Sequence, residues 1–138
     1  MARAVLVQLC VDPRLNHELL RSQVRQKLGR LRLSAERIFL LGEVGGNIGA
    51  NFQNTLDLLK QRNDKLVLCA VLHHDECLTA AAGTRVPLEA SAKQLTAVLA
   101  QQDLGCRVLT GNIRTEHNQV LWSDEPEPRY KPWSFGAF

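Results

Sequence analysis

A long apolar run that ends in metal-binding residue types constrains the fold of this chain most strongly. The run Lys65–Leu72 reads KLVLCAVL, and only its first residue is neither apolar nor Cys. Such a run, rich in Val and Leu, is typical of a strand buried on both faces of a parallel sheet. The residues that follow it are His73, His74, Asp75, Glu76 and Cys77. Because ligands of open α/β sheets bind beyond the carboxyl ends of the strands, thiol and imidazole groups stand where a site is expected.

The composition is that of one globular domain without a signature for nucleic-acid or membrane binding. The chain has 138 residues, of which 45% are hydrophobic and 22% charged, enough for a single core. A net charge of +3, scattered basic residues and 5% aromatic residues argue against a nucleic-acid partner. No segment approaches the length of a membrane span, and the N-terminal apolar run is too short for a signal peptide. We therefore expect a cytoplasmic protein whose four Cys are reduced thiols, core residues or ligands.

Strand and helix signals alternate along the rest of the chain. Further strands are predicted at Ala4–Cys10, Arg37–Leu41 and Cys106–Thr110. Three helices are predicted between the strands: one starts near Arg14, one follows the glycine-rich turn after the second strand, and one starts at Pro87. This order predicts an α/β fold with a mostly parallel four-stranded sheet flanked by helices, which a short fifth edge strand at Gln119–Trp122 can extend. The pair Gly111-Asn112 is expected to turn the chain before that edge strand. We predict one domain over residues 1–122 and an arm rich in Pro and aromatic residues over 123–138.

Two strand ends carry candidate zinc ligands. Cys10 ends the first strand, and His74 and Cys77 follow the third. The carboxyl ends of neighbouring parallel strands lie side by side, so these three residues can converge, and two thiolates with one imidazole suit zinc. A water in the fourth position would make the site catalytic, whereas the Asp12 carboxylate would close it. A bidentate salt bridge from Arg14 could hold Asp12 off the metal.

These motifs together resemble the β-class carbonic anhydrases, over about residues 4–122. The matching motifs are Cys10-x-Asp12-x-Arg14, the glycine-rich turn Gly42–Gly49 after the second strand, and His74-x-x-Cys77 after the third. The resemblance implies that the two cysteines and the histidine bind zinc, and that Asp12 and Arg14 form the catalytic pair that gates the fourth position. It also implies a zinc-dependent lyase, in which zinc-bound hydroxide converts carbon dioxide reversibly to bicarbonate, and a homo-oligomer.

Departures from the family pattern keep other functions open. Gly42-Glu43-Val44-Gly45 stands where the family usually has Arg-Asn-Ala-Gly, and Leu78 stands where a Gly usually follows the second cysteine. The first strand begins almost at Met1, without the N-terminal helices that embrace the partner subunit in the family. One alternative is a non-catalytic zinc-binding protein related to carbonic anhydrases. Another is a hydrolase of carbonyl sulfide or carbon disulfide.

A third alternative is a nucleotide-binding module without metal, because glycine-rich turns can cradle phosphate. The glycines of the turn do not follow the G-x-G-x-x-G spacing, and close packing of helix on strand explains them more simply. Among the remaining candidates, His73 is expected to pack near the site and Cys69 to lie in the core. Cys106 has no partner motif and is assigned to the core or the surface.

Overall fold

The computed structural model describes residues 2–43, 46–75 and 87–126. Within those residues the chain forms five strands and three helices, which alternate except that the last two strands follow one another. The elements are β1 (Arg3–Cys10), α1 (His17–Arg30), β2 (Arg37–Glu43), α2 (Ala50–Gln61), β3 (Lys65–His74), α3 (Leu88–Gln101), β4 (Arg107–Arg114) and β5 (Gln119–Trp122).

One sheet contains all five strands, in the order β2-β1-β3-β4-β5. The first four are parallel, and β5 pairs antiparallel with β4 as a short edge strand. The predicted α/β architecture, with a mostly parallel sheet and a fifth edge strand, is therefore confirmed. The two strands that end in candidate ligands, β1 and β3, are direct neighbours at the centre of the sheet.

Helices cover both faces of the sheet, which explains the long apolar runs of β1 and β3. On one face, Val5 and Val7 pack with α1, whose buried residues Leu20 and Val24 belong to the same cluster. On the other face, residues of β1 and β3 pack with α2 and α3 through Phe52, Leu56, Leu59, Leu95 and Leu99. Side chains alternate between the faces along a strand, so a strand between two helical layers favours apolar residues on both of its faces.

Several expected boundaries are wrong, and β2 and β4 each end later than predicted, at Glu43 and Arg114. The pair Gly111-Asn112 does not turn the chain but lies inside β4, and the turn comes later, at residues 115–118. A Cβ atom on Gly111 would lie 2.9 Å from Leu72 Cδ2 and 3.0 Å from the Leu121 carbonyl oxygen, so this glycine serves close strand packing. Helix α1 begins at His17 and not near Arg14, because the Asn16 side chain accepts a hydrogen bond from Leu19 N and caps the helix there.

The start of the predicted C-terminal arm folds back on α1. Asp124 and Glu125 form ion pairs with Lys27, which is 2% exposed. Residues 127–138, which hold the aromatic part of the arm, lie outside the described residues, as does the helical turn predicted at Ala80–Gly83. None of the helices in the described ranges combines the length and apolarity that a membrane span requires.

Candidate metal centre

The candidate centre lies where β1 and β3 end side by side. Cys10 is the last residue of β1 and His74 the last of β3, and each is 1% exposed. The prediction had β3 ending at Leu72, but the strand continues through both histidines. His74 is therefore held in place by backbone pairing with Ile113 of β4 and does not lie in a loop.

The Asp12–Arg14 pair forms as the sequence spacing suggested. Arg14 Nε donates to Asp12 Oδ1 at 3.0 Å, and a terminal guanidinium nitrogen donates to Oδ2 at 2.9 Å. The backbone N of Arg14 also donates to Oδ1 at 2.9 Å. The Asp12 side chain is fully buried, and that of Arg14 is 32% exposed. A bidentate, charge-assisted pair of this kind fixes the plane and direction of the carboxylate.

Asp12 also faces His74. The two side chains are fully buried, and His74 Nε2 lies 3.9 Å from Asp12 Oδ2. The other ring nitrogen, Nδ1, lies 2.8 Å from the backbone oxygen of Asp75. A carbonyl oxygen only accepts, so Nδ1 carries the hydrogen, and in the neutral ring Nε2 then offers a lone pair on the side of the carboxylate.

The donors present fit zinc in kind. A buried thiol and an imidazole whose Nδ1–H is bound to a carbonyl are the usual state of zinc ligands. The third predicted ligand, Cys77, lies outside the described residues. Within the part of the chain that is described, no group of three His, Cys, Asp or Glu side chains could hold a metal ion. The ligand set Cys10, His74 and Cys77 therefore remains a prediction.

The glycine-rich turn after β2 packs directly on this centre. Gly46 is buried, with φ at +72°, and a Cβ atom there would lie 3.2 Å from His73 Cδ2 and 3.7 Å from Cys10 N. Only a residue without a side chain lets the backbone cross so closely over the ends of β1 and β3. Farther along the turn, a Cβ on Gly49 would lie 3.0 Å from Glu43 Cδ. Close packing thus accounts for these glycines, as expected, and His73 packs beside the site.

Sequence reasoning missed the turn between β4 and β5, which supports both halves of the centre. Asn118 donates from Nδ2 to the Arg14 carbonyl at 3.1 Å and accepts at Oδ1 from Asn16 N at 2.7 Å. Thr115 bonds to Asp75, next to His74. The only sequence signal was an Asn in a polar turn, here with φ at +52°, which does not reveal contacts about a hundred residues away.

A cleft opens beside the Asp12–Arg14 pair. Its volume is about 510 Å³, and Arg14, Thr115, Glu116 and Asn118 line it. Arg14 therefore contacts the buried Asp12 carboxylate and also lines this cleft.

The cysteines that the prediction left out of the site lie elsewhere. Cys69 is buried in the core as expected, and Cys106 packs partly buried beside the same apolar cluster. The hydrogen bond with Cys106 is the main cause that raises the pKa of the Cys69 thiol, and burial adds to it.

Comparisons with known proteins identify the fold. No protein-family model matches the sequence, and no curated protein matches it. The β-carbonic anhydrase CafD of the filamentous fungus Aspergillus fumigatus matches in structure with a TM-score of 0.56 at 14% identity, over 87% of this chain and 88% of that one. A variant of the same enzyme also gives a TM-score of 0.56, over 89% and 90% of the two chains. A carbonic anhydrase from Streptococcus mutans matches with a TM-score of 0.50 at 18% identity, over 87% of this chain and 81% of that one. Such identities speak for the fold alone. This chain has a divergent form of the β-carbonic-anhydrase fold.

Proposed function

We propose that this chain is a zinc-dependent lyase that hydrates carbon dioxide reversibly to bicarbonate. Cys10, His74 and Cys77 would hold the metal, and Asp12 and Arg14 would act at the fourth position. The observation that carries the proposal is the buried, bidentate Asp12–Arg14 pair, whose Oδ2 lies 3.9 Å from His74 Nε2. The proteins that share the fold are carbonic anhydrases by name, which supports the choice of substrate.

The chemistry that zinc supplies when bound is a water acidified to a pKa of about 7. The residues of the chain then have distinct roles. The Arg14 guanidinium donates to both oxygens of Asp12, so these oxygens are oriented as hydrogen-bond acceptors. Asp12 Oδ2 would then accept a hydrogen bond from the oxygen that attacks carbon dioxide and so would orient it.

Metal content and hydration, measured on one sample, test this proposal. The protein is purified without added zinc or chelator, and zinc is measured by mass spectrometry and hydration by stopped flow. We expect one zinc per chain and hydration above the uncatalysed rate. We expect Cys10→Ser, His74→Ala and Cys77→Ser to lose zinc, because each removes a ligand. The matched control is Cys106→Ser, which removes a thiol outside the centre and should keep zinc. Full zinc occupancy in the three ligand variants would refute the ligand set.

The position of Asp12 also supports a second candidate, a non-catalytic zinc protein whose fourth ligand is this carboxylate. At 3.9 Å from His74 Nε2, Asp12 Oδ2 lies on the side that a metal on His74 would occupy. The variant Asp12→Ala separates the two functions. If Asp12 gates an open position, the variant keeps zinc and loses hydration. If Asp12 is a ligand, zinc affinity falls. Zinc without hydration in the unmodified protein calls for a repeat at higher pH and with carbonyl sulfide and carbon disulfide.

We propose a homo-oligomer as the state in which the protein acts. Strand β2 is at one edge of the sheet and, among the described residues, pairs only with β1. Its apolar residues Phe39, Leu40 and Leu41 are only partly buried. An edge strand with accessible apolar side chains is suited to pair with another chain. Light scattering over a range of protein concentrations would test this, and a monomer mass at every concentration would contradict it.

A further inference from the structure

The turn between β4 and β5 is bonded to the residue that follows His74. Thr115 N donates to Asp75 Oδ1 at 2.9 Å, and the Thr115 hydroxyl donates to the same oxygen. The backbone of Asp75 is held as well, since its N lies 3.3 Å from the Ile113 carbonyl oxygen. These two hydrogen bonds from Thr115 also hold the pKa of Asp75 below its usual value, with the nearby His74 adding to the effect. The two hydrogen bonds from Thr115 thus anchor the turn on the Asp75 side chain.

The same contacts reach the His74 ring. The Asp75 carbonyl oxygen lies 2.8 Å from His74 Nδ1, and Thr115 Oγ1 lies 3.0 Å from that carbonyl oxygen and 3.4 Å from Nδ1. A hydroxyl has one hydrogen, and the Thr115 hydroxyl donates it to Asp75 Oδ1. Thr115 Oγ1 therefore presents a lone pair, and not a hydrogen, to Nδ1. Two acceptors surround Nδ1, which keeps the ring hydrogen on that nitrogen.

We propose that Thr115 is a positioning residue that fixes, through Asp75, the tautomer and orientation of the His74 imidazole. The value of this arrangement rests on the proposed function, because it directs the Nε2 lone pair toward the place of the metal. Thr115 is 8% exposed and is not itself a predicted ligand, so it would act on the metal through this ring. Partners that orient ligating histidines in this way typically change metal affinity by about 10- to 100-fold when they are removed.

The test compares Thr115→Val, which removes the hydroxyl and keeps the shape, with Thr115→Ser, which restores it. Thr96→Val is the matched control, because it also removes a bonded threonine hydroxyl, which donates to the Ala92 carbonyl on the exposed side of α3. The first readout uses metal-free, ¹⁵N-labelled protein and long-range ¹H–¹⁵N correlation spectra of the histidine rings, with His74→Gln to assign the signals. The second readout is the zinc dissociation constant, measured by competition with a chelator.

We expect His74 to carry its hydrogen on Nδ1 in the unmodified protein and in Thr115→Ser. In Thr115→Val we expect a mixture of tautomers and zinc binding weakened about 10-fold. If Thr115→Val folds poorly, the variant Asp75→Ala replaces it in the test. Asp75→Ala removes the anchor, leaves Thr115 in place and should give the same changes. An unchanged tautomer and unchanged zinc affinity in both variants would overturn the proposal. If the unmodified protein binds no zinc, the proposed function fails, but the tautomer comparison in metal-free protein still decides the role of Thr115.

Discussion

Replacing Lys27 by Met tests what ties the segment after β5 to helix α1. Lys27 Nζ donates to the two carboxylate oxygens of Asp124 at 3.0 and 2.9 Å and to Glu125 Oε2 at 2.5 Å. It also lies 5.5 Å from the centroid of the Trp122 ring, within the range of a cation–π interaction. The ammonium is almost fully buried, and its charge is balanced by the first residues of the C-terminal segment.

The structure sets the size of the effect. Met keeps the long apolar stem, so Lys27→Met removes the charge and little of the packing. The side chains of Asp124 and Glu125 are 42% and 33% exposed, so water can solvate both, and Arg30 still pairs with Glu125 at 2.9 Å. We expect a loss of about 1–3 kcal/mol in the free energy of unfolding, as for hydrogen bonds to charged groups. The double variant Asp124→Asn, Glu125→Gln leaves the ammonium buried without a counter-charge and should cost more, about 3–5 kcal/mol.

Urea unfolding followed by circular dichroism at pH 7 measures both values. The control is Arg30→Met, whose side chain is 50% exposed and whose loss should cost less than about 1 kcal/mol. The order of the two costs is the decisive result. If Lys27→Met costs more than the double variant, burying an unpaired ammonium is less costly than losing its hydrogen bonds, and the reasoning is wrong.

The pH dependence of this stabilisation has a definite sign. The hydrogen bond from Lys27 holds the pKa of Glu125 below its usual value, and Arg30 contributes to the shift. An acid with a lowered pKa in the folded state stabilises fully above its unfolded pKa, about 4.3 for Glu. The contribution is lost as the pH falls from there through the folded pKa. The difference in unfolding free energy between the unmodified protein and Glu125→Gln should therefore be full at pH 7 and shrink below about pH 4. A difference that stays constant into acid would contradict this assignment.

Three further predictions concern the centre and the C-terminal segment. Gly46→Ala should lower the free energy of unfolding in urea by about 1–2 kcal/mol, because Gly46 has a positive φ and contacts the centre. The control Gly105→Ala adds a Cβ that would meet none of the described residues within 4 Å, so it should not destabilise the protein. Equal costs for the two variants would refute the packing argument. Arg14→Gln should lower carbon dioxide hydration by about 10- to 100-fold at unchanged zinc content, measured by stopped flow and mass spectrometry, and loss of zinc would assign Arg14 to metal binding instead. Truncation before Ser123 should lower the melting temperature because it removes the partners of the buried lysine, whereas truncation after Pro126 keeps those partners and should lower it less. Equal melting temperatures for the two truncated chains would contradict this.

Much of the fold could be predicted because its signals are local. Strands buried on both faces read as continuous apolar runs, as in Lys65–Leu72, and helices between them show the 3.6-residue period. The strand ends were less predictable. The two histidines extend β3 because β4 offers them ladder partners, and Gly111 lies in a strand because Leu72 and Leu121 approach it closely. A glycine pattern in the sequence does not distinguish a turn from such close packing.

The candidate centre divides in the same way. Cys10, Asp12 and Arg14 could be chosen from the sequence, because short spacing after a strand places them at one end of it, and the ion pair within this motif follows from a separation of two residues. Thr115 and Asn118 could not, since Thr115 bonds to a residue 40 positions away and Asn118 to one 102 positions away. Local sequence patterns determined the elements and the candidate ligand residues of this protein. Only the tertiary structure decided which turn orients them, because the pairing of β4 with β3 in the sheet places the turn that follows β4 beside the end of β3.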